Sequence, residues 1–455
     1  MKKIINIALA LLMVAVMLPV MAMAEEPATA LPTADANGVI TLEKDVVLAD
    51  AVEINSDVTI DLHGWSITSS NGNSGKVIIA MANVTIKDSV GNGRIESTST
   101  SGGSSAAIRV GTAGTDKDIT VTIESGTMKG RDCGIFVAGI NSKLVVNGGY
   151  IEGTNGFGVS GNGSMSNNNT TSECGPTTIT INGGKIIGGG TGIYHPQVGQ
   201  LMINNGEITG KTGVEIRAGG LIVSGGTITA TGDSTSTDPN GNGSTTVGAA
   251  IAVVQHTTKQ PINVKINGGS FNGVSALYEA NPQSNPKEAT EKIGIVVNGG
   301  TFNGAVNKAQ DGSTLGVMGG TFNTNVSNYV CTSPTVKDEN NKYYVGETAE
   351  AVLQSATSGT FTVVGAVEDE ALNVKPGVTI VNNSNTTIKV NDKEVPNNVS
   401  YTVPGAPIII YTPTEDTSKA DNQKNPSTGA NDFVGVAAAM VVVSLLGAAA
   451  VIRKK

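Results

Sequence analysis

The sequence predicts an all-β chain wound as a parallel solenoid of about ten coils, and three observations lead to it. One phrase recurs from residue 84 to 324: two apolar residues separated by one, a Gly-rich turn, a further apolar residue and often a closing Gly. It reads LVVNGGYIEG, ITINGGKIIG, LIVSGGTITA and IVVNGGTFNG in four of its copies. The second turn residues, Gly126, Gly149, Gly184, Gly206, Gly226, Gly269, Gly300 and Gly320, are separated by 23, 35, 22, 20, 43, 31 and 20 residues, which sets a base period of 20 to 23. Finally, the apolar residues alternate with period 2 and show no 3.6-residue pattern, so each repeat is a coil of strands and not a helix pair.

A second short strand precedes the phrase in most coils, as in AAIRVG, CGIFVAG, TGIYHP, TGVEIRA and AAIAVV. Stacking coils about 4.8 Å apart aligns like residues into columns and makes the alternating Ile, Val and Leu a continuous interior. Gly supplies the positive φ of the sharp turn. Asn147, Asn182, Asn205, Asn267 and Asn298 are expected to stack there and bond amide to amide. Ile151, Ile186, Ile208, Ile228, Phe271, Phe302 and Phe322 fall in one interior column, whose three phenylalanines should form an aromatic ladder in the core and not a ligand site.

The chain divides into a signal peptide (1–24), an N-terminal lead (25–37), the solenoid (38–330), a β-rich terminal cap (331–411), a polar spacer (412–424) and a C-terminal sorting segment (425–455). Lys2 and Lys3 precede an apolar stretch from Ile4 to Leu18, and Ala22 and Ala24 give the small-x-small pattern of a signal peptidase site, so the mature chain is expected to start at Glu25. The run from Phe433 to Ile452, about 30 Å long as a helix, is closed by Arg453, Lys454 and Lys455 and reads as a membrane span with a cytoplasmic end. Just before it stand Asn425, Pro426, Ser427, Thr428 and Gly429. This order of motif, span and basic tail resembles the sorting signal of sortase substrates. The resemblance implies cleavage between Thr428 and Gly429 and transfer of Thr428 to peptidoglycan by a sortase transpeptidase on a Gram-positive-type cell. Asn425 stands where the commonest signal has Leu, which leaves the sortase class open.

Among 455 residues 59 are Gly, 15% are charged and 39% are apolar, which suits an elongated β protein better than a disordered chain. A net charge of −9 argues against a nucleic-acid partner. Cys133, Cys174 and Cys331 lack metal-site spacing; one bridge between Cys133 and Cys174 is allowed, with small apolar filler the preferred role.

The repeat over roughly residues 38 to 330 resembles the right-handed parallel β-helix of pectate-lyase-like proteins, as does the opening GVITLEKDVVLADAVEINSDVTIDLHGWSIT with His63, Gly64 and Trp65 at a turn. Enzymes of that fold need clustered carboxylates, with or without Ca²⁺. Asp-Asp, Asn-Thr-Asp, Gly-His-Gly and Arg-Ile-Lys motifs are missing from the sequence. The solenoid's arginines are Arg94, Arg109, Arg131 and Arg217. Asp132 alone is an acid adjacent to any of them, and strand alternation would put it on the face opposite Arg131. His63, His195 and His256 lie far apart near turns or strand ends and are expected to be solvated or bonded to backbone. No catalytic or metal residue and no cofactor is assigned; Ca²⁺ enters only with an enzyme.

Three functions therefore stand side by side: a wall-anchored adhesin or binder of a host or plant glycan, a polysaccharide lyase or glycoside hydrolase, and a structural surface component. Insertions at about 161–176 and 279–292 both leave the coil after the second strand type. On that strand the outward positions run Arg109, Phe136, Ser160, Tyr194, Glu215 and Tyr278, with Arg217 beyond Glu215. The expected ligand face is Phe136, Tyr194, Glu215, Arg217 and Tyr278, exposed aromatics for stacking on sugar rings and charges for their hydroxyls or carboxylates.

Overall fold

The computed structural model describes residues 26–70, 75–100, 105–163, 176–239, 246–309, 312–330, 334–365 and 371–405. The signal cleavage residues Ala22, Ala24 and Glu25, the sorting residues Asn425 to Gly429, the apolar run after them, Cys174 and Cys331 lie outside the described residues.

The chain is a parallel β-helix. Coils 1 to 8 carry three strands each. In coil 6 they are Thr177–Ile181, Lys185–Gly188 and Thr191–His195; in coil 7, Gly199–Ile203, Glu207–Gly210 and Thr212–Ile216. First strands pair only with first strands, in an eleven-stranded parallel sheet from Val39–Thr41 to Thr314–Val317. Second and third strands likewise stack on their own kind, and in coils 9 and 10 they fuse into Ser270–Ala280 and Thr301–Lys308.

The recurring phrase spans the first corner. Its alternating residues point in and out of the first strand, as in Thr177–Ile181, where Thr177, Ile179 and Ile181 are buried. Gly184 then turns the chain at φ +82, where an added Cβ would lie 2.9 Å from backbone of the coil before it, so stacking as well as conformation demands glycine. One hydrophobic core runs without a break from Ile40 to Val345. Ile151, Ile186, Ile208, Ile228, Phe271, Phe302 and Phe322 are in register from coil to coil. The Phe271 and Phe302 rings stack at 4.7 Å, as do Phe302 and Phe322.

The amide ladder exists but corrects the sequence reading at one coil. Asn182 Nδ2 donates to Asn147 Oδ1 at 2.9 Å, and the next donor is Asn204, not Asn205, bonding Asn182 Oδ1 at 2.8 Å. Asn204 stands two residues before Gly206, as Asn182 does before Gly184, so the turn geometry and not adjacency to Gly sets the column. Glu124 takes the place below Asn147 and accepts from its Nδ2 at 2.9 Å.

After Phe322 the strand Tyr343–Val345 runs antiparallel to Gly320–Phe322 on one side and to Thr335–Lys337 on the other, so the last second-strand edge is paired. Residues 336–403 bury a second core, to which the helix Glu347–Ser355 contributes Ala349 and Leu353.

Candidate ligand-binding face

The outward column named from the sequence is real. Register pairs Ile79 with Arg109, Arg109 with Phe136, Phe136 with Ser160, Ser160 with Tyr194, Tyr194 with Glu215, Glu215 with Ala252, and Ala252 with Tyr278. In the chain, residues 161–176 and 281–292 follow third strands, while residues 231–248, unremarked in the sequence reading despite the 43-residue spacing, precede the third strand Ala249–Val254; of these, 161–163, 176, 231–239, 246–248 and 281–292 are described.

Exposure is where the structure departs from expectation. Tyr194 is 4% exposed and Glu215 and Arg217 are 0% exposed; Phe136 and Tyr278 are half-buried. The third strands of coils 6 and 7 and Ala249–Val254 of coil 8 are buried at every position, on both sides of the sheet. The physical reason is that the outward side chains satisfy one another and the insertions. Tyr194 stacks on Phe157, with centroids 4.9 Å apart. Arg217 donates through Nη1 to the Tyr194 hydroxyl at 3.2 Å, and its Nε lies 3.9 Å from Glu215 Oε1. The Thr246 amide, at the base of the 231–248 insertion, donates to Glu215 Oε2 at 3.0 Å, and Thr212 Oγ1 donates to the Thr246 carbonyl at 2.6 Å. On the other edge, Asn285 Nδ2 donates to Gln255 Oε1 and the His256 carbonyl, each at 3.0 Å, and so fastens residues 281–292 to the end of coil 8.

Of the two surroundings expected for His195, solvent is excluded: it is 0% exposed, in register with interior Ile216, and burial pushes its pKa down to about 4 against an opposing backbone contact with Gly199. One further expectation is corrected. Arg131 and Asp132 are not on opposite faces, because both sit in the corner before the strand Cys133–Val137 and not on a strand. Arg131 Nε lies 3.9 Å from Asp132 Oδ1.

The accessible part of the column is therefore at its ends. Arg109 and Phe136 are both half-buried, with the guanidinium carbon 5.9 Å from the Phe136 ring centroid. Tyr278 lies against Ala249, Ala252 and Val254. Cys133, in the same strand as Phe136, is buried, and its thiol is pushed up to about 12 by that burial. Among the described residues no three His, Cys, Asp or Glu side chains are grouped to hold a metal. One residue beside this column escaped the sequence reading: Lys76, which opens the strand Lys76–Ala80 and is 8% exposed. A charge at the head of the otherwise apolar KVIIA was the available signal.

No protein family, curated relative or solved structure matches this chain.

Proposed function

We propose that this protein is an exported, wall-attached surface protein that binds glycan on the outward side of its third strands and leaves it chemically unaltered. In this reading the solenoid is of the right-handed, pectate-lyase-like kind and acts as a stiff support, with sortase and peptidoglycan as the anchoring partners. The observation that supports it best is the half-buried Arg109 and Phe136 pair with Tyr278 on one outward column. An aromatic face beside a guanidinium offers a sugar both a stacking surface and hydrogen-bond donors. The polar groups at the centre of the column, Tyr194, Glu215 and Arg217, hold the face together.

The test is a glycan and mucin array probed with the exported chain and with a Phe136→Ala/Tyr278→Ala variant. Capture by the first and loss in the second, with the melting temperature kept within a few degrees, supports the reading. Undiminished capture in the variant removes this face. A polysaccharide panel incubated with and without Ca²⁺ should return unchanged; new unsaturated products or reducing ends would establish an enzyme instead. For anchoring, mass analysis of muramidase-released protein should find a chain ending at Thr428.

A further inference from the structure

Two cations stand at the start of this face, one coil apart. Lys76 opens the third strand of coil 2 and Arg109 lies within Ala106–Val110, the third strand of coil 3. The strands pair in register, Lys76 opposite Ala106 and Ile79 opposite Arg109. Lys76 is more than nine-tenths buried, and among the described residues it makes no hydrogen bond or ion pair. The Arg109 Nε is also buried and has no acceptor. Burying a cation is unfavourable unless neighbouring anions complete the site. Asp132 acts on Lys76 through space and opposes the loss of its charge, while its carboxylate also faces Arg131 at 3.9 Å and accepts the Ser105 amide at 2.9 Å. Lys76 is depressed by burial and then by Arg109, with Cys133 and Asp132 opposing, and Arg109 is depressed by burial.

We infer that Lys76 and Arg109 form an anion-binding site that takes a sulfate ester or a carboxylate carried on a glycan. This deepens the binding reading above and rests on it. The Arg109 guanidinium carbon lies 5.9 Å from the Phe136 ring centroid and the group can offer paired N–H donors to an oxyanion, while Lys76 supplies a compact charge. Phe136 offers apolar surface to the ring that bears the anion. The chain's charge of −9 repels densely charged polymers, which favours an isolated anion on an otherwise neutral chain.

The experiment titrates the exported chain with sulfated, carboxylated and neutral oligosaccharides of matched length, and with inorganic sulfate as competitor. The variants are Lys76→Met and Arg109→Gln, with Lys143→Met on the first strands as control. Anionic oligosaccharides should bind, sulfate should compete, and each site variant should lose affinity about tenfold or more while the control does not. Preference for the sulfated or the carboxylated set identifies the source of the anion. Binding of neutral oligosaccharides alone, or undiminished binding in both site variants, overturns the anion site and leaves the broader binding reading standing. Protection by inorganic sulfate through Arg109 with no oligosaccharide bound overturns the glycan reading and keeps the site.

Discussion

The Arg217 guanidinium reaches back one coil to the Tyr194 hydroxyl, donating through Nη1 at 3.2 Å between side chains that are at most 4% exposed. With Glu215 also at 0% exposure beside Arg217, the three form a buried polar link across coils 6 and 7. Such groups hold a structure only while their partners are present, because a charge left behind in a dry site is costly. Arg217→Met is expected to destabilise the protein by about 3 kcal/mol or more, and Tyr194→Phe by about 1 kcal/mol. Denaturant melts of the two variants and of their double mutant check this. Additive effects would show that the pair is not coupled.

Ile186 and Lys185 are neighbours in one strand and face opposite ways: Ile186 is 0% exposed, while Lys185 is exposed and lies 3.7 Å from Glu207. Replacing Ile186 by Asp puts a charge into a continuous apolar column and should cost several kcal/mol. Lys185→Ala removes one surface ion pair and should change stability by about 0.5 kcal/mol or less. Thermal unfolding followed by circular dichroism separates the two, and equal losses would contradict the register.

The phenylalanine ladder should behave as core. Phe302 packs at 4.7 Å between Phe271 and Phe322, all three at 0% exposure. Phe302→Ala is expected to cost about 3–5 kcal/mol and Phe302→Leu distinctly less, since Leu refills much of the cavity. A chemical-denaturation series gives the comparison.

His195 makes stability depend on pH. Its pKa falls from 6.5 to about 4 in the folded chain because burial disfavours the imidazolium. Between these values the unfolded chain binds the extra proton, so stability rises with pH there. It is fully present above about 6.5, is lost progressively as pH falls toward 4, and changes no further through this group below that. The total is about 3 kcal/mol. The carboxylates with lowered pKa, Asp35, Asp45, Asp57 and Asp61, act around and below their ordinary 3.8 and so touch only the acid edge of this window. Melting temperatures from pH 4 to 7 should rise in the parent and flatten in His195→Leu. A parallel slope in the variant would assign the effect elsewhere.

The sequence by itself determined the coil, its columns and its core. A period-2 pattern repeated every 20 to 23 residues leaves one way to bury Ile186 and Ile208, and stacking then fixes Phe271 over Ile228. It also placed Arg109, Phe136, Tyr194, Glu215 and Tyr278 on one outward column, because register is inherited from the core. Whether those side chains meet water was decided only in three dimensions. Alternation says which way a residue points, and it is silent on what an insertion elsewhere lays over it. Thr246, far along the chain, bonds Glu215, and Tyr194 turns its ring to Phe157 of the coil before. Lys76 and Arg109 are likewise separated by more than a full period in the chain and come onto paired strands of adjacent coils only because coils stack. The local pattern specifies a strand's orientation, while the burial of a charge depends on contacts between coils and loops that no short stretch of sequence contains.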